Sequence, residues 1–159
     1  MDKNAFAQKV LDAEEAMYRV AKSMLSVDAD CEDAVSEAIL KAYSSLGSLR
    51  EEKFFKTWLI RILINECRKI QKSNKKIVLY DEAMDNAAAP EKEDYTDLYR
   101  AVMALPEKIR IAVVLYYIEG YSVTEIKSIL TIPSGTVKSR LAKGRELLKQ
   151  QLCDNSRVS

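Results

Sequence analysis

The sequence predicts an all-α protein made of two small helical domains joined by a flexible linker. Its 159 residues include only four glycines and three prolines, and 48% of them are hydrophobic. Few residues therefore interrupt helices, while enough apolar side chains are present to form a core. Val, Ile and Thr are not gathered in the alternating runs that are typical of strands.

Three helices are expected in residues 1–75, the N-terminal domain. Each has apolar residues spaced along one face. In the first helix these are Phe6, Val10, Ala13, Met17, Val20 and Met24. In the second, which starts in the acidic segment 28–33 and is expected to end at Gly47, they are Val35, Ala38, Ile39, Ala42 and Tyr43. In the third they are Phe54, Phe55, Trp58, Leu59, Ile62 and Leu63.

An acidic linker is expected at residues 76–94, after a basic run that begins at Lys72. It contains an Ala-Ala-Ala-Pro segment and has no helical periodicity, which is typical of an extended connection. A C-terminal helical domain then occupies residues 95–159, with Pro106 as a helix-start signal before the apolar run 109–118.

Residues 120–145 have the pattern of a helix-turn-helix. Ser122 and Glu125 form a capping box at the start of the first helix, whose inward positions are Val123, Ile126, Ile129 and Leu130. Pro133 marks the next helix start, with Ser134 expected as its N-cap. The core face of this second helix carries Val137, Leu141, Gly144 and Leu148.

The outer face of the second helix combines hydroxyls with cations, which suits the major groove of DNA. Cations neutralise phosphates, an arginine can bind guanine through two hydrogen bonds, and small hydroxyl residues permit close approach. The candidate DNA-binding residues are Ser134, Thr136, Lys138, Ser139, Arg140, Lys143 and Arg145. The charge pattern alone would also fit a solvated surface helix.

Composition argues against several classes of protein. There is no histidine, and the three cysteines are widely spaced, so neither a metal site nor a cofactor is expected. No glycine-rich phosphate loop and no convergent catalytic groups are present, so no enzymatic activity is expected. The sequence has no signal peptide pattern and no apolar run that could insert into a membrane, which predicts a cytoplasmic protein.

Three C-terminal segments together resemble the promoter-reading domain of bacterial RNA polymerase sigma factors of the extracytoplasmic-function (ECF) group. They are residues 105–108 (LPEK), 119–126 (EGYSVTEI) and 132–141 (IPSGTVKSRL). The resemblance implies that the second helix reads the −35 promoter element. Thr131 departs from the family, which commonly has Gly in this turn. Because a β-branched residue is poorly suited to a left-handed conformation, we expect the turn to be adjusted.

The N-terminal half is similar to the same family. Residues 54–69 (FFKTWLIRILINECRK) resemble the segment that melts and reads the −10 element, and the 47–53 loop matches one that holds an extruded base. The DNA-binding residues that this implies are Phe54, Trp58, Arg61, Asn65, Arg68 and Lys69. Aromatic rings, including Phe55, can stack on unpaired bases beside such cations. From the residues alone, core packing for most of the rings and a surface role for Asn65 would be favoured, and only the resemblance assigns Asn65 to DNA.

Residues 30–43 (DCEDAVSEAILKAY) are similar to the helix by which sigma factors dock on the polymerase clamp. The polymerase-binding residues implied are Asp33, Glu37, Leu40, Lys41 and Tyr43. From the residues alone, a plain solvated helix face remains the alternative. Melting about ten base-pair steps costs on the order of 14 kcal/mol, which a few stacked bases cannot supply, so a large partner is required.

The resemblance implies three partners: core RNA polymerase, promoter DNA and an anti-sigma factor, usually anchored in the membrane. The leading interpretation is a transcription initiation factor. A stand-alone helix-turn-helix regulator is the alternative, but such proteins normally dimerise, and no heptad seam is evident.

Overall fold

The computed structural model describes the backbone of residues 1–80 and 97–158 and the side chains of residues 1–75 and 97–154. Within these ranges the chain is helical and contains no β-strand. It divides into two compact units, residues 1–89 and 90–159. The all-α class and the two-domain organisation predicted from the sequence are therefore confirmed. Residues 81–96, which include most of the expected linker, lie outside the described part.

The first unit contains three long helices. Helix α1 spans Lys3–Met24, α2 spans Asp28–Ser44 and α3 spans Phe55–Tyr80. Two short 3₁₀ turns, Leu46–Ser48 and Glu52–Phe54, connect α2 to α3. The apolar face predicted for α1 is buried at all six positions. It packs against α2 and α3, whose buried residues include Val35, Leu59 and Leu63.

Two details of this unit differ from the sequence expectations. Helix α2 ends at Ser44, and Gly47 lies in the following 3₁₀ turn without a left-handed backbone, so Gly47 does not cap the helix. Helix α3 continues to Tyr80, five residues past the boundary expected at 75. Lysine, glutamine and arginine are good helix formers, and no Gly or Pro occurs between Phe55 and Tyr80, so the basic run does not end the helix.

The second unit contains three short helices and one long one. Helix α4 spans Asp97–Met103 and α5 spans Glu107–Val113, which begins directly after Pro106 as expected. A wider helical turn, Val114–Ile118, extends α5. Helix α6 spans Val123–Leu130 and α7 spans Ser134–Val158. Val137 and Leu141 of α7 are buried, together with Ile126 and Ile129 of α6, as predicted for a helix-turn-helix core.

Gly144 allows α7 to pack closely on α5. A Cβ atom placed there would lie 2.5 Å from Cγ2 of Val113 and 3.2 Å from Cγ2 of Ile109. Both neighbours are β-branched and therefore stiff at χ1, so they cannot move aside at low cost. The glycine thus sets the distance between the two helices, and with it the position of α7.

Candidate nucleic-acid interface

The outer side of α3 carries a polar stripe that the sequence-predicted residues largely form. Arg61, Asn65 and Arg68 are exposed and follow one another at spacings of four and three, so they lie on one face. Lys72 and Lys75 continue the stripe at the same spacing and are exposed as well. Because the opposite face of α3 is buried in the core of the unit, the stripe must face outward.

Two of the three rings near the start of α3 are accessible. Phe54 is 51% exposed and lies beneath the Lys53 ammonium, which is 5.1 Å from the ring centroid. Trp58 is half-buried and packs at 50° to Phe55. Phe55 itself is buried against Phe6, with 5.8 Å between ring centroids. The expectation that Phe55 could stack on bases is therefore wrong, because its faces are used in the core.

Lys69 belongs to a charge cluster that links α3 to α2. Its Nζ lies 3.4 Å from Oε2 of Glu66, and Nζ of Lys41 donates to the same oxygen at 2.6 Å. The hydrogen bond to Glu66 raises the pKa of Lys41. Lys41 therefore lies on the side of α2 toward α3, half-buried, one turn after Glu37 and at the border of the surface formed by the other residues predicted for polymerase binding.

The remaining residues predicted for polymerase binding share the exposed side of α2. Asp33, Glu37 and Leu40 lie at spacings of four and three, and Leu40 is 64% exposed. Tyr43 follows one turn later and packs the edge of its ring on Phe6, with 5.2 Å between centroids. The result is a surface with two apolar groups beside two carboxylates.

The segment that leads into α7 has a side-chain capping box at the start of α6 and a left-handed residue in the turn at its end. Ser122 and Glu125 form the predicted capping box: Ser122 Oγ accepts from Glu125 N at 3.1 Å, and Glu125 Oε1 accepts from Ser122 N at 2.9 Å. Thr131 adopts a left-handed conformation with φ 57° and ψ 51°. The expectation that the turn would be adjusted is wrong, because the threonine accepts the unfavourable conformation instead.

The start of α7 also differs from the expectation by one residue. The helix begins at Ser134, and the Pro133 carbonyl accepts from the amides of Thr136 and Val137 at 3.0 and 3.2 Å. Ser134 is therefore the first helical residue, and Pro133 precedes it. An amide at the start of a helix has no hydrogen-bond partner within the helix. Proline, which has no amide hydrogen, is therefore tolerated there, and the helix can start directly after it.

The outer face of α7 presents the predicted side chains to different degrees. Lys138, Ser139 and Lys143 are exposed, whereas Thr136 and Arg140 are half-buried at the edges of the core face. The Ser139 hydroxyl donates to the Gly135 carbonyl at 3.1 Å, which leaves its lone pairs to accept from outside. Lys143 pairs with Glu146 at 3.5 Å, a contact between exposed groups that a phosphate can displace.

Arg145 is held by a residue that the sequence did not indicate. Its Nη1 donates to the hydroxyl of Tyr117 at 3.1 Å. Tyr117 lies in the wider turn after α5, next to Tyr116 and Ile118, and all three are exposed. An aromatic residue within an apolar run predicts burial. The sequence pattern therefore did not indicate that the Tyr117 hydroxyl would bind Arg145 of α7.

Glu66 is the second functional candidate that sequence reasoning missed, and here a signal exists. Leu59, Leu63 and Glu66 are spaced by four and three, so helical periodicity places the carboxylate on the buried face of α3. An acidic residue at such a position requires a cationic partner. The spacing therefore could have predicted a charge cluster at this seam.

The described residues also bear on metal sites and membrane spans. Residues with described side chains contain no group of three or more His, Cys, Asp or Glu that could hold a metal ion. None of the described helices is long and apolar enough to cross a membrane.

Both units match known protein families. Residues 12–77 match the family described as Sigma-70 region 2, and residues 95–148 match Sigma-70, region 4. The ECF RNA polymerase sigma factor SigW of Bacillus subtilis is 32% identical over 173 residues, covering 96% of this chain and 91% of SigW. The RNA polymerase sigma factor SigV of the same organism is 31% identical, covering 90% and 88%.

A solved structure agrees with the sequence relatives. The sigma factor RpoE of Bartonella quintana, crystallised with the anti-sigma factor NepR, is similar with a TM-score of 0.80 and 26% identity. The match covers 93% of this chain and 96% of RpoE. Two helical units that match both sigma-70 regions, with a helix-turn-helix in the second, are the organisation of a promoter-specificity factor.

The chain belongs to the sigma-70 family of RNA polymerase sigma factors, in its ECF group. It is a transcription initiation factor that directs RNA polymerase to promoters. The alternative of a stand-alone helix-turn-helix regulator is not favoured, because the match to region 2 accounts for the N-terminal unit as well.

Proposed function

We propose that this sigma factor contacts the transcription machinery through three surfaces. The polar stripe of α3 reads and helps to melt the −10 element, the outer face of α7 reads the −35 element, and the exposed side of α2 binds core polymerase. The observation that carries the proposal is the stripe on α3, where an amide side chain stands between cations on a face fixed by a buried core.

The chemistry of the α3 stripe suits a single strand. Asn65 offers both a donor and an acceptor to a base edge. Arg61 and Arg68, on either side of it, can follow the phosphate backbone. Phe54 and the accessible part of Trp58 lie near the helix start, where an unpaired base can stack on an aromatic ring. Lys69 adds a cation one turn after Asn65.

The chemistry of α7 suits the major groove. Ser139 presents acceptor lone pairs next to Lys138, Arg140 and Lys143, so that phosphate contacts can fix the helix while polar groups reach base edges. Ser134, Thr136 and Arg145 complete the surface at its two ends. The left-handed Thr131 turn joins α6 to this helix.

The surface on α2 suits a protein partner. Leu40 and Tyr43 are exposed apolar groups, and Asp33 and Glu37 surround them with negative charge. Interfaces that form and dissociate combine apolar contacts with polar groups in this way. Lys41 borders the surface, and we assign it a supporting part because its ammonium is engaged with Glu66.

We further propose that the protein is a non-enzymatic subunit that acts in the cytoplasm and is held inactive by an anti-sigma factor. The solved complex of RpoE with NepR supports such a partner. By analogy with the family, this partner is anchored in the membrane. The sigma factor itself is proposed to require no cofactor.

Specific run-off transcription tests the proposal. The purified protein is mixed with core RNA polymerase and a template that carries the promoter of its own gene, and discrete transcripts are expected. Asn65→Ala should reduce open-complex formation by about tenfold, since one base-edge contact is worth about 1–3 kcal/mol, without changing affinity for a −35 duplex.

The matched control is Asn4→Ala, which removes the same group from an exposed position on α1. It should behave as the unmodified protein does. Failure of the protein to bind core polymerase would refute the proposal. Equal effects of the two substitutions would remove Asn65 from the −10 surface while leaving the polymerase assignment intact.

A further inference from the structure

The seam between α2 and α3 contains a buried carboxylate that family resemblance does not explain. Glu66 is the only buried charged residue among the described side chains, with 9% of its side chain exposed. It directly follows Asn65, the residue proposed to read a base. Its Oε2 atom receives Lys41 of α2 at 2.6 Å and Lys69 of α3 at 3.4 Å.

The two lysines are not equivalent. Burying a carboxylate is costly unless it is paired and hydrogen-bonded. The short hydrogen bond from Lys41 meets this requirement across the seam. Lys69 makes a longer contact from the same helix, and 62% of its side chain is exposed. Lys69 can therefore exchange Glu66 for another anion while Lys41 keeps the carboxylate paired.

This arrangement restricts what Lys69 can do on the DNA-facing side. Without Glu66, the flexible ammonium of Lys69 could meet phosphates over a wide area, whatever the base sequence. With Glu66 in place, the ammonium is held within a turn of Asn65 and part of its charge is neutralised. A phosphate can pair favourably with Lys69 only where it lies close enough to replace Glu66 as the partner of the ammonium.

We propose that Glu66 is a positioning residue for promoter reading. It holds Lys69 in a position where the ammonium increases affinity for strands that are bound at Asn65. The same ammonium adds little affinity for strands that are bound elsewhere. The proposal rests on the assignment of the α3 stripe to the −10 element. It adds to that assignment a role for an acidic residue on the same helix, because Glu66 would increase discrimination between DNA sequences.

A purely structural role for Glu66 predicts a different outcome. If the cluster only joined α2 to α3, its loss would weaken binding to all sequences. The positioning role instead predicts that loss of the carboxylate strengthens binding to unrelated sequences and reduces discrimination. The two interpretations therefore differ in the sign of one measured change.

The test uses Glu66→Gln in the full chain, assembled with core polymerase. Two 12-nucleotide single strands serve as probes, one with the −10 sequence of the protein's own promoter and one with the same bases scrambled. Dissociation constants are measured between 50 and 200 mM NaCl. For the scrambled strand, the slope of log K against log salt should steepen by up to about 0.7, as for one added phosphate contact.

Affinity for the scrambled strand should rise by about twofold to fivefold at 50 mM NaCl, and the preference for the −10 strand should fall by a similar factor. Glu15→Gln, an exposed position on α1, changes the net charge equally and should leave both values unchanged. In the double variant Glu66→Gln with Lys69→Gln, the gain in affinity for the scrambled strand should disappear.

Several results would overturn the proposal. Equal weakening of both strands with an unchanged salt slope would leave Glu66 a structural role only. If Glu66→Gln does not fold, as judged by circular dichroism, Lys69→Gln is compared with Lys72→Gln, which is exposed nearby. Equal loss of slope from these two would show that Glu66 does not restrain Lys69.

The failure of the underlying assignment is recognised separately. If the unmodified holoenzyme does not distinguish the −10 strand from the scrambled strand, the assignment of α3 is wrong, and the proposal for Glu66 falls with it. If it does distinguish them and Glu66→Gln behaves as Glu15→Gln does, only the proposal for Glu66 falls.

Discussion

The two units position the helices that we propose to contact DNA, α3 and α7, by different means. In the first unit, side chains distant in sequence hold α3. Gln71 donates to the Met24 carbonyl at the end of α1 at 2.9 Å, Asn74 donates to Asp30 at 3.2 Å, and Glu66 receives Lys41. In the second unit, two backbone features help to place α7: the left-handed Thr131 in the turn before it and the close approach to α5 at Gly144.

This difference determines which substitutions each unit tolerates. Where side chains across a seam set the position of a helix, a change of chemistry at that seam alters function. Where the backbone sets it, the decisive property is whether a residue can adopt a given φ or fit a given gap. Substitutions that act on one unit at a time test whether the two units are independent of each other and whether their helices are positioned in these two different ways.

The largest expected effects come from truncating one core at a time. Leu63→Ala in the first unit and Ile126→Ala in the second each remove a fully buried side chain and should cost about 2–5 kcal/mol. The chain has a single tryptophan, Trp58, so its fluorescence reports on the first unit. In urea titrations, Leu63→Ala should shift the fluorescence transition to lower denaturant, and Ile126→Ala should not.

A −35 duplex provides the converse measurement. Ile126→Ala should weaken binding to that duplex, and Leu63→Ala should leave it unchanged. If both variants shift the Trp58 transition by the same amount, the two units unfold as one and are not independent of each other.

Alkaline pH should destabilise the first unit before the second. Burial raises the pKa of the Cys31 thiol from 9.0 to about 11. A raised pKa means that the folded state favours the neutral thiol, so this stability is complete below pH 9 and is lost as pH rises toward 11. At pH 10 the loss should be about 1.4 kcal/mol. Burial also raises the pKa of Tyr121 in the second unit from 10.0, so its loss begins at higher pH.

Urea titrations at pH 7 and pH 10, followed by Trp58 fluorescence, measure this difference. Cys31→Ala should reduce the loss between the two pH values, whereas Cys153→Ala, at an exposed cysteine, should retain it. A loss of the same size in Cys31→Ala would assign the alkaline sensitivity to another group.

Relieving the strained turn should stabilise the second unit alone. Thr131 is a β-branched residue at φ 57°, a conformation that glycine adopts without steric cost. Thr131→Gly should raise stability by about 0.5–1 kcal/mol, since relief of strain exceeds the added chain entropy of glycine. Thermal unfolding followed by circular dichroism measures the change.

Thr124→Gly is the matched control, because Thr124 is an exposed threonine inside α6. There the same substitution should destabilise by a few tenths of a kcal/mol, since glycine is a poorer helix former than threonine. If both substitutions destabilise the protein, the left-handed backbone at Thr131 carries no strain that glycine can relieve.

The sequence predicted most of the fold because the helices follow their hydrophobic periodicity. The six buried positions of α1 and the buried Val137 and Leu141 of α7 all come from spacing alone. Errors occurred where local and tertiary effects compete. Gly47 is expected as a cap from its residue type, although no left-handed residue is needed there, and the linker expected from residue 76 begins with the last residues of α3, which continues to Tyr80.

The candidate site was predicted less completely because contacts between distant residues have no local signal. Spacing placed Asn65 and Arg68 on an exposed face, but it could not show that Lys41 turns toward Glu66 or that Phe55 is enclosed by Phe6. Family resemblance supplied the roles of residues, whereas only the structure supplied the partners that hold them.

The smallest effect tests a side-chain contact between α7 and the turn after α5, which involves a residue proposed to bind DNA. The Tyr117 hydroxyl accepts from Arg145 at 3.1 Å on an exposed surface, where such a bond is worth well under about 1 kcal/mol. Tyr117→Phe should therefore weaken −35 duplex binding by only about twofold and leave thermal stability unchanged. Tyr116→Phe, at the exposed neighbour in the same turn, should have no effect. Fluorescence anisotropy at fixed salt resolves this difference. A loss of tenfold or more would show that a side chain positions Arg145 as strictly as Glu66 is proposed to position Lys69, and the contrast between the two units would then be one of degree.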